Sequence, residues 1–246
     1  MNQIKLLNGA IFIADAHENS DTRTSFWDFL CDIKNNNIEC SQLFLMGDMF
    51  DLLVGGVDDC AQFAEKYINI LEEIAVEKDV FYLEGNHDFN LDCFFKNVKV
   101  FPISKQPLNL FIENYDCIIK IAHGDIFLPK LLQMILRFLR NKALIKFLNF
   151  LNNNLNFIIT KTILKKQNIK NLFYNINDFE DIAKQRFEHF NCDIAIEGHF
   201  HQGKFFSWEI GKYFNLESFA QKKRYFIVEY DTKLKDFNLI TKNLRS

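Results

Sequence analysis

Proline and glycine are scarce in this chain of 246 residues, at 3 and 9 copies. That excludes a collagen-like or Pro-rich linker architecture. Paired thiols are lacking as well. The six cysteines, at 31, 40, 60, 93, 117 and 192, neither cluster nor form CxxC pairs. They read as reduced thiols of a cytosolic protein, not as a disulfide frame or zinc knuckle. No uninterrupted apolar run is long enough to cross a membrane. The most apolar region, residues 128–160, is broken by Arg137, Arg140, Lys142, Lys146 and several Asn. A spanning helix wants about 20 predominantly apolar residues. The N-terminal stretch up to Ala14 runs straight into Asp15-Ala16-His17, and signal cleavage there would remove residues suited to chemistry. A cytoplasmic location is therefore expected. What is present is a folded composition: 48% hydrophobic residues and a net charge of −3. One globular unit with a full core follows, and a disordered chain does not.

The small net charge conceals an asymmetry. Between Ile126 and Tyr174 stand nine basic residues, at 130, 137, 140, 142, 146, 161, 165, 166 and 170, with no Asp or Glu. The remainder carries 20 basic against 32 acidic residues. Periodicity within the block is helical. Lys130, Gln133, Arg137 and Arg140 form a polar stripe, with Leu131, Leu132, Ile135, Leu136 and Leu139 opposite and Pro129 at the entry. Lys142, Lys146, Asn149 and Asn153 repeat the pattern beside Leu144, Ile145, Phe147, Leu148 and Leu151. Two or three basic amphipathic helices are expected. Their apolar faces either pack on the main body, leaving Lys and Arg solvated, or form a cap for an anionic membrane surface or an acyl chain.

Elsewhere the chain alternates. Apolar, β-branched and aromatic runs predict strands at Ala10–Ala14, Leu43–Met46, Val80–Leu83, Cys117–Ala122, Asp193–Ile196, Tyr225–Tyr230 and Phe237–Ile240. Helical spacing intervenes at Thr24–Asn35, Cys60–Glu77 and Asp178–Phe190, the last with Asp178 as N-cap. This order predicts a layered α/β domain.

Five of the six histidines or their companions fall in short polar motifs just beyond apolar strands: Asp15-Ala16-His17, Gly47-Asp48, Gly85-Asn86-His87-Asp88, His123-Gly124-Asp125 and Gly198-His199-Phe200-His201. Loops beyond strand carboxyl ends gather into one crevice. Asp15 and His17, two apart on an extended chain, point the same way, and so do His199 and His201. The flanking glycines permit close backbone approach. Oxygen and nitrogen donors without thiolates suit Mn²⁺, Fe or Zn²⁺ in open sites. Seven ligands are too many for one open tetrahedral ion and suit two ions sharing a carboxylate.

The ordered set D-x-H, GD, GNHD, HGD and GH-x-H resembles the calcineurin-like metallophosphoesterases over nearly the whole chain. The resemblance implies a β-sandwich flanked by helices. It implies that Asp15, His17, Asp48 and His201 hold one metal, with Asp48 bridging, and that Asn86, His123 and His199 hold the second. It makes His87 the group that meets the scissile phosphate, as proton donor or charge stabiliser. Asp88 either orients His87 or is a turn residue. Asp125 reads as a loop or supporting residue, and His189 as an ordinary surface histidine.

Within the superfamily the chain is similar to the UDP-2,3-diacylglucosamine diphosphatases of lipid A synthesis. Gly47-Asp48-Met49-Phe50-Asp51-Leu52-Leu53-Val54-Gly55 is similar to that family's GD-x-F-x-x-x-x-G segment, and Gly85-Asn86-His87-Asp88-Phe89 has a comparable setting. That likeness implies a core of residues 1–125 and 175–246 and a helical lid at 126–174 that receives acyl chains. It also implies cleavage to UMP and 2,3-diacylglucosamine 1-phosphate at the inner membrane surface, with two divalent ions, Mn²⁺ foremost. The chain departs from that family in carrying His87 where Arg is usual, and Ile126-Phe127-Leu128-Pro129 where acidic and Tyr residues usually follow HGD. The alternatives are a phosphoesterase of the same build acting on another nucleotide, phosphoprotein or phosphorylated metabolite, or a non-enzymatic scaffold or membrane-binding module. A nucleic-acid partner is not expected, because the basic stretch lacks stacking aromatics in a groove.

Overall fold

The computed structural model describes residues 3–20, 22–169, 171–172 and 174–244. Lys170, the last basic residue of the 126–174 block, lies outside the described residues. In chain order the elements begin with β1 (Ile4–Lys5), β2 (Ile11–Ile13), α1 (Ser25–Lys34), β3 (Gln42–Leu45), β4 (Leu53–Val54), α2 (Asp58–Glu77) and β5 (Asp79–Leu83). There follow β6 (Asp88–Phe89), β7 (Lys99–Phe101), β8 (Leu108–Ile112), β9 (Tyr115–Ala122), α3 (Lys130–Leu139), α4 (Lys142–Asn154) and α5 (Ile158–Asn168). The last third holds α6 (Phe179–Phe190), β10 (Ile194–Glu197), β11 (Lys204–Trp208), β12 (Gly211–Asn215), α7 (Phe219–Lys222), β13 (Arg224–Asp231) and β14 (Asp236–Asn243).

Two six-stranded sheets form the sandwich, in the orders β1-β8-β9-β10-β12-β11 and β14-β13-β2-β3-β5-β7. Period-two alternation explains the layering. In the second sheet Phe12, Phe44 and Phe81 point inward toward Ile119, Ile121, Ile194 and Ile196 of the first. Their neighbours Ile11, Ile13, Leu43, Leu45, Val80 and Tyr82 point outward under α1 and α2. Both faces are buried, so these strands read as continuous apolar runs. Phe12 and Phe44 stack at 4.5 Å between ring centroids, and Phe44 and Phe81 at 4.6 Å.

Helix α2 owes its position to a stripe of Cys60, Ala64, Tyr67, Leu71 and Ile74 on one face. Helix α1 is held at its start by a distant residue. Thr24 makes no side-chain cap, and the Glu18 carboxylate instead accepts from the N–H groups of Phe26 and Trp27 at 3.1 and 3.3 Å. Tyr67 donates to the same carboxylate at 2.7 Å, so α1 and α2 are both tied to the segment after β2. Asp178 precedes α6 as expected, but in the left-handed conformation (φ 54°) and without a side-chain cap bond.

The basic block forms the helices α3, α4 and α5. Asn141 caps α4, accepting from the N–H groups of Ala143 and Leu144. Its polar stripe is not simply solvated: the Asn149 and Asn153 amides donate to Asp58 on α2 at 3.1 and 2.7 Å. Leu136, Leu139, Ile145, Leu148, Ile159 and Ile163 line a cavity against the body. Leu131, Met134 and Phe138 of α3 are 72%, 67% and 64% exposed, so packing on the body accounts for only part of the apolar surface. Among the described residues no helix is long and apolar enough to cross a membrane.

Candidate metal centre

Parallel pairing puts the motif-bearing ends of β2, β3 and β5 on one edge of their sheet, and those of β9 and β10 on one edge of theirs. Backbone bonds then stitch the loops together. The Asp15 and His17 N–H groups donate to the carbonyls of Gly47 and Asp48, and Gly198 N–H donates to the His123 carbonyl. The two edges meet where the His199 N–H donates to the Asp15 carboxylate at 3.0 Å. Two glycines let the loops close. Gly47 has φ 90°, and a Cβ there would stand 2.5 Å from His123 Nδ1. A Cβ on Gly85 would collide with the Asp48 carboxylate.

The donors form two clusters. Asp15, His17 and His201 offer one set of atoms within 4.8 Å of one another, and Asp48, His123 and His199 offer another. Asp48 Oδ2 lies 3.5 Å from His123 Nε2 and 3.9 Å from His87 Nε2. His201 Nε2 lies 3.2 Å from Asp15 Oδ1. The His17 ring lies 5.2 Å from that of His87 and 5.3 Å from that of His201. The sequence expectation of extended D-x-H and H-x-H pairs is corrected here. Asp15, His17, His199 and His201 all have positive φ, between 45° and 66°, and so does Asp48 at 53°. Left-handed turns, not extended chain, aim these donors. They send His199 to one cluster and His201 to the other.

The residues fit divalent cations. Asp15 Oδ1, His17 Nε2, Asn86 Oδ1, His123 Nε2 and His201 Nδ1 are buried without a hydrogen-bond partner in the structure. Orphaned buried polar atoms are costly, and those of Asp15, His17 and His123 belong to residues of the two clusters. The His123 ring is fixed by its Nδ1–H, which donates to the Met46 carbonyl at 2.8 Å and leaves Nε2 free for coordination.

Charge shifts agree with this reading for the ion-free protein. Burial would raise the Asp48 carboxyl, but His123 and His87 hold it well below the usual range. Burial would depress His123, but the Asp48 carboxylate holds it protonated well above its ordinary value. The same contest, burial against the Asp15 carboxylate, leaves His201 raised. His199 goes the other way: burial and the charge on His123 push it down to about 3. Protons occupy part of the positive charge that cations would supply.

Other expected residues fall as follows. His87 is buried, with Nδ1–H donating to the Asp51 carbonyl at 3.0 Å. Asp88 does not orient it. Its carboxylate accepts from the N–H groups of Asp48, Met49 and Gly85 at 2.9, 2.6 and 2.9 Å and from the Tyr82 hydroxyl at 2.7 Å. The turn alternative describes Asp88, which shapes the loop carrying Asp48. Asp125 is buried and stands outside both clusters, paired with Arg140 at 3.0 Å. His189 is exposed, with Nδ1 beside the Gln185 carbonyl.

Sequence reasoning missed several supporting residues. Asp51 Oδ1 lies 3.3 Å from His17 Nδ1, and the same carboxylate takes the Arg23 guanidinium. Arg186 is buried on α6, where it binds both oxygens of Glu197 and the Gly124 carbonyl, bracing the loop after His123. Its signal was available: Phe179, Ala183, Arg186 and Phe190 share one stripe, so the arginine stands where an apolar residue is expected.

A helix-flanked β-sandwich whose crossing loops gather two buried Asp/His clusters is the build of a metal-dependent phosphoesterase. The chain belongs to the calcineurin-like phosphoesterase family, whose profile matches residues 10–203, and it is a phosphoric ester hydrolase. The family uses a dinuclear divalent-metal site. A protein named UDP-2,3-diacylglucosamine hydrolase from Wigglesworthia glossinidia brevipalpis is 30% identical over 208 residues, covering 79% of each chain. One of the same name from Shewanella loihica is 28% identical over 206 residues, covering 80% of this chain and 82% of its own. Among solved structures, Vacuolar Protein Sorting 29 from Cryptosporidium parvum is similar over 97% of this chain and 100% of its own, with TM-score 0.42 and 12% identity.

Proposed function

We propose that this phosphoesterase hydrolyses the pyrophosphate of UDP-2,3-diacylglucosamine, releasing UMP and 2,3-diacylglucosamine 1-phosphate. The observation that carries the reading is a cavity of about 400 Å³ whose wall joins Asn86 and His87 to Leu136, Leu139, Ile145, Leu148 and Ile163 of the basic helices. A site built for a small phosphate ester has no use for an apolar chamber beside its polar groups. An acyl chain fills such a chamber. Residues 126–174 are the lid, and residues 1–125 and 175–246 the core. The names of the two curated relatives supply the same substrate.

In this reading Asp15, His17, Asp48 and His201 hold one ion, and Asp48, Asn86, His123 and His199 the other, with Mn²⁺ the preferred metal. A bound pair supplies acidified water near neutral pH and positive charge for phosphoryl oxygens. The chain's own residues do the rest. The Asp51 carbonyl fixes the His87 ring, so that Nε2 faces the reacting phosphate and neutralises charge on a non-bridging oxygen. Asp88 keeps the Asp48 loop in register. The apolar cavity seats the lipid half, so the pyrophosphate meets the donors rather than water. The exposed apolar face of α3 with its Lys and Arg lies on the inner, cytoplasmic membrane surface, where anionic headgroups attract it.

Incubation of the purified protein with UDP-2,3-diacylglucosamine and Mn²⁺ tests this. UMP and the lipid monophosphate are the expected products. Absence of UMP under conditions where bis(p-nitrophenyl) phosphate is cleaved would overturn the substrate while leaving the phosphoesterase in place.

A further inference from the structure

Arg140 is the place where the basic helices touch the metal loops, and it does so with both backbone and side chain. It closes α3, and its carbonyl accepts from the Asn90 amide at 3.0 Å. Its guanidinium passes over the Phe89 ring at 5.5 Å. One nitrogen, Nη2, then donates to two partners: the Gly85 carbonyl at 2.8 Å and the Asp125 carboxylate at 3.0 Å. The side chains of this pair are only 10% and 0% exposed.

These partners belong to different loops, and each is next to a donor. The Gly85 carbonyl belongs to the peptide that leads into Asn86, whose Oδ1 is one of the orphaned atoms. The Gly85 N–H is already fixed by Asp88, so the Arg140 bond fixes the other end of that residue. Asp125 stands two residues after His123, whose Nε2 faces Asp48. A single planar cation therefore sets the spacing between the segment carrying Asn86 and His87 and the segment carrying His123. Neither segment of the Asp15–His17–His201 cluster touches Arg140 in any hydrogen bond among the described residues.

We infer that Arg140 is a positioning residue that couples seating of the basic helices to the geometry of one half of the metal centre, the half formed by Asp48, Asn86, His123 and His199. This rests on the ligand assignment proposed above. With the helices seated, Arg140 draws the two loops together. With them lifted, Asp125 is left as a buried unpaired charge and the Gly85 peptide is freed. The second ion is then held well only when the lipid-binding helices are in place.

Manganese titration of the full chain, read by calorimetry and elemental analysis, tests the coupling. Arg140→Gln is expected to weaken one of two ions by about 10–100-fold, the range typical of residues that orient ligands, while the other is unchanged. Turnover of bis(p-nitrophenyl) phosphate at saturation should fall in step, although that substrate needs no lipid cavity. Asp125→Asn should give the same defect, and the double variant should add little to either. Arg140→Lys, which keeps the charge but not the bridge, should recover only part. An Arg140→Gln protein that binds both ions like wild type and shows only a raised KM for UDP-2,3-diacylglucosamine would overturn the inference, as would fully additive effects. Equal loss of both ions together with a lowered melting temperature would overturn it as well, since that is plain destabilisation. A wild-type chain that binds a single ion would instead overturn the ligand assignment and is distinguishable from all of these.

Discussion

The sandwich and the basic helices meet the demand for burial in opposite ways. Strands β2, β3 and β5 bury every residue but Asp79, sending Phe12, Phe44 and Phe81 to one layer and their neighbours to another. Helix α3 buries none of its ten residues. The first region is explained by what it packs against within the chain. The second carries large side chains that stand exposed among the described residues, beside nine positive charges and no negative ones. The chemistry-bearing groups divide along the same line: the packed region holds the Asp and His clusters, and the helices supply the opposite wall of the cavity that Asn86 and His87 also border.

The sharpest way to break the contrast is to damage the packed region from within. Arg186→Met leaves the buried Glu197 carboxylate without its cation and with only the Tyr213 hydroxyl still donating to it, so unfolding free energy should drop by about 3–5 kcal/mol, measured by denaturant titration. A comparable substitution at exposed Arg137 should change it by less than about 0.5 kcal/mol. Next comes the centre itself. Asp48→Asn should cut hydrolysis of bis(p-nitrophenyl) phosphate by more than about 100-fold and lower bound metal in elemental analysis. Full activity and full metal content together would refute Asp48 as a ligand.

The helices should show the reverse pattern. Leu131→Glu with Phe138→Glu should weaken binding to anionic phospholipid vesicles by at least about tenfold, since each buried side chain of this size contributes roughly 1.5–3 kcal/mol. The melting temperature and cleavage of the small diester should stay as in wild type. Unchanged vesicle binding would remove the membrane from the account of α3.

The mildest effect is a matter of protons. His123 and His201 are raised in the ion-free protein, so they hold protons to higher pH than ordinary histidines. Under the proposed ligand assignment a cation must displace those protons. Manganese affinity should therefore fall as pH falls and rise as pH climbs through these raised values, with proton release visible as buffer-dependent heats in calorimetry. Heats independent of buffer would contradict the assigned charge states.

The motif-bearing strands were legible because both faces are buried, which makes each a solid apolar run ending at a polar loop. Strands β7, β8, β11 and β12 escaped notice for the complementary reason. They lie toward sheet edges or are partly exposed, and Lys204–Trp208 mixes charge with aromatics as a half-covered strand does. The seven donors were visible in sequence order. Their partition into clusters depends on left-handed turns, which residue spacing does not announce. Arg140 illustrates the limit most clearly. Its periodicity placed it on a polar stripe, and only tertiary contact shows the side chain turned in to Asp125 and Gly85.

The positive-φ backbones at Asp15, His17, Asp48, His199 and His201 carry a further consequence. They are braced by backbone hydrogen bonds between loops, such as Asp15 N–H to the Gly47 carbonyl and His17 N–H to the Asp48 carbonyl. Those bonds let the chain's own backbone set the shape of the receptor. A mould held this way is expected to outlast removal of its ion by a chelator and to accept a replacement without rebuilding, so circular dichroism should be unchanged between the stripped and reloaded protein.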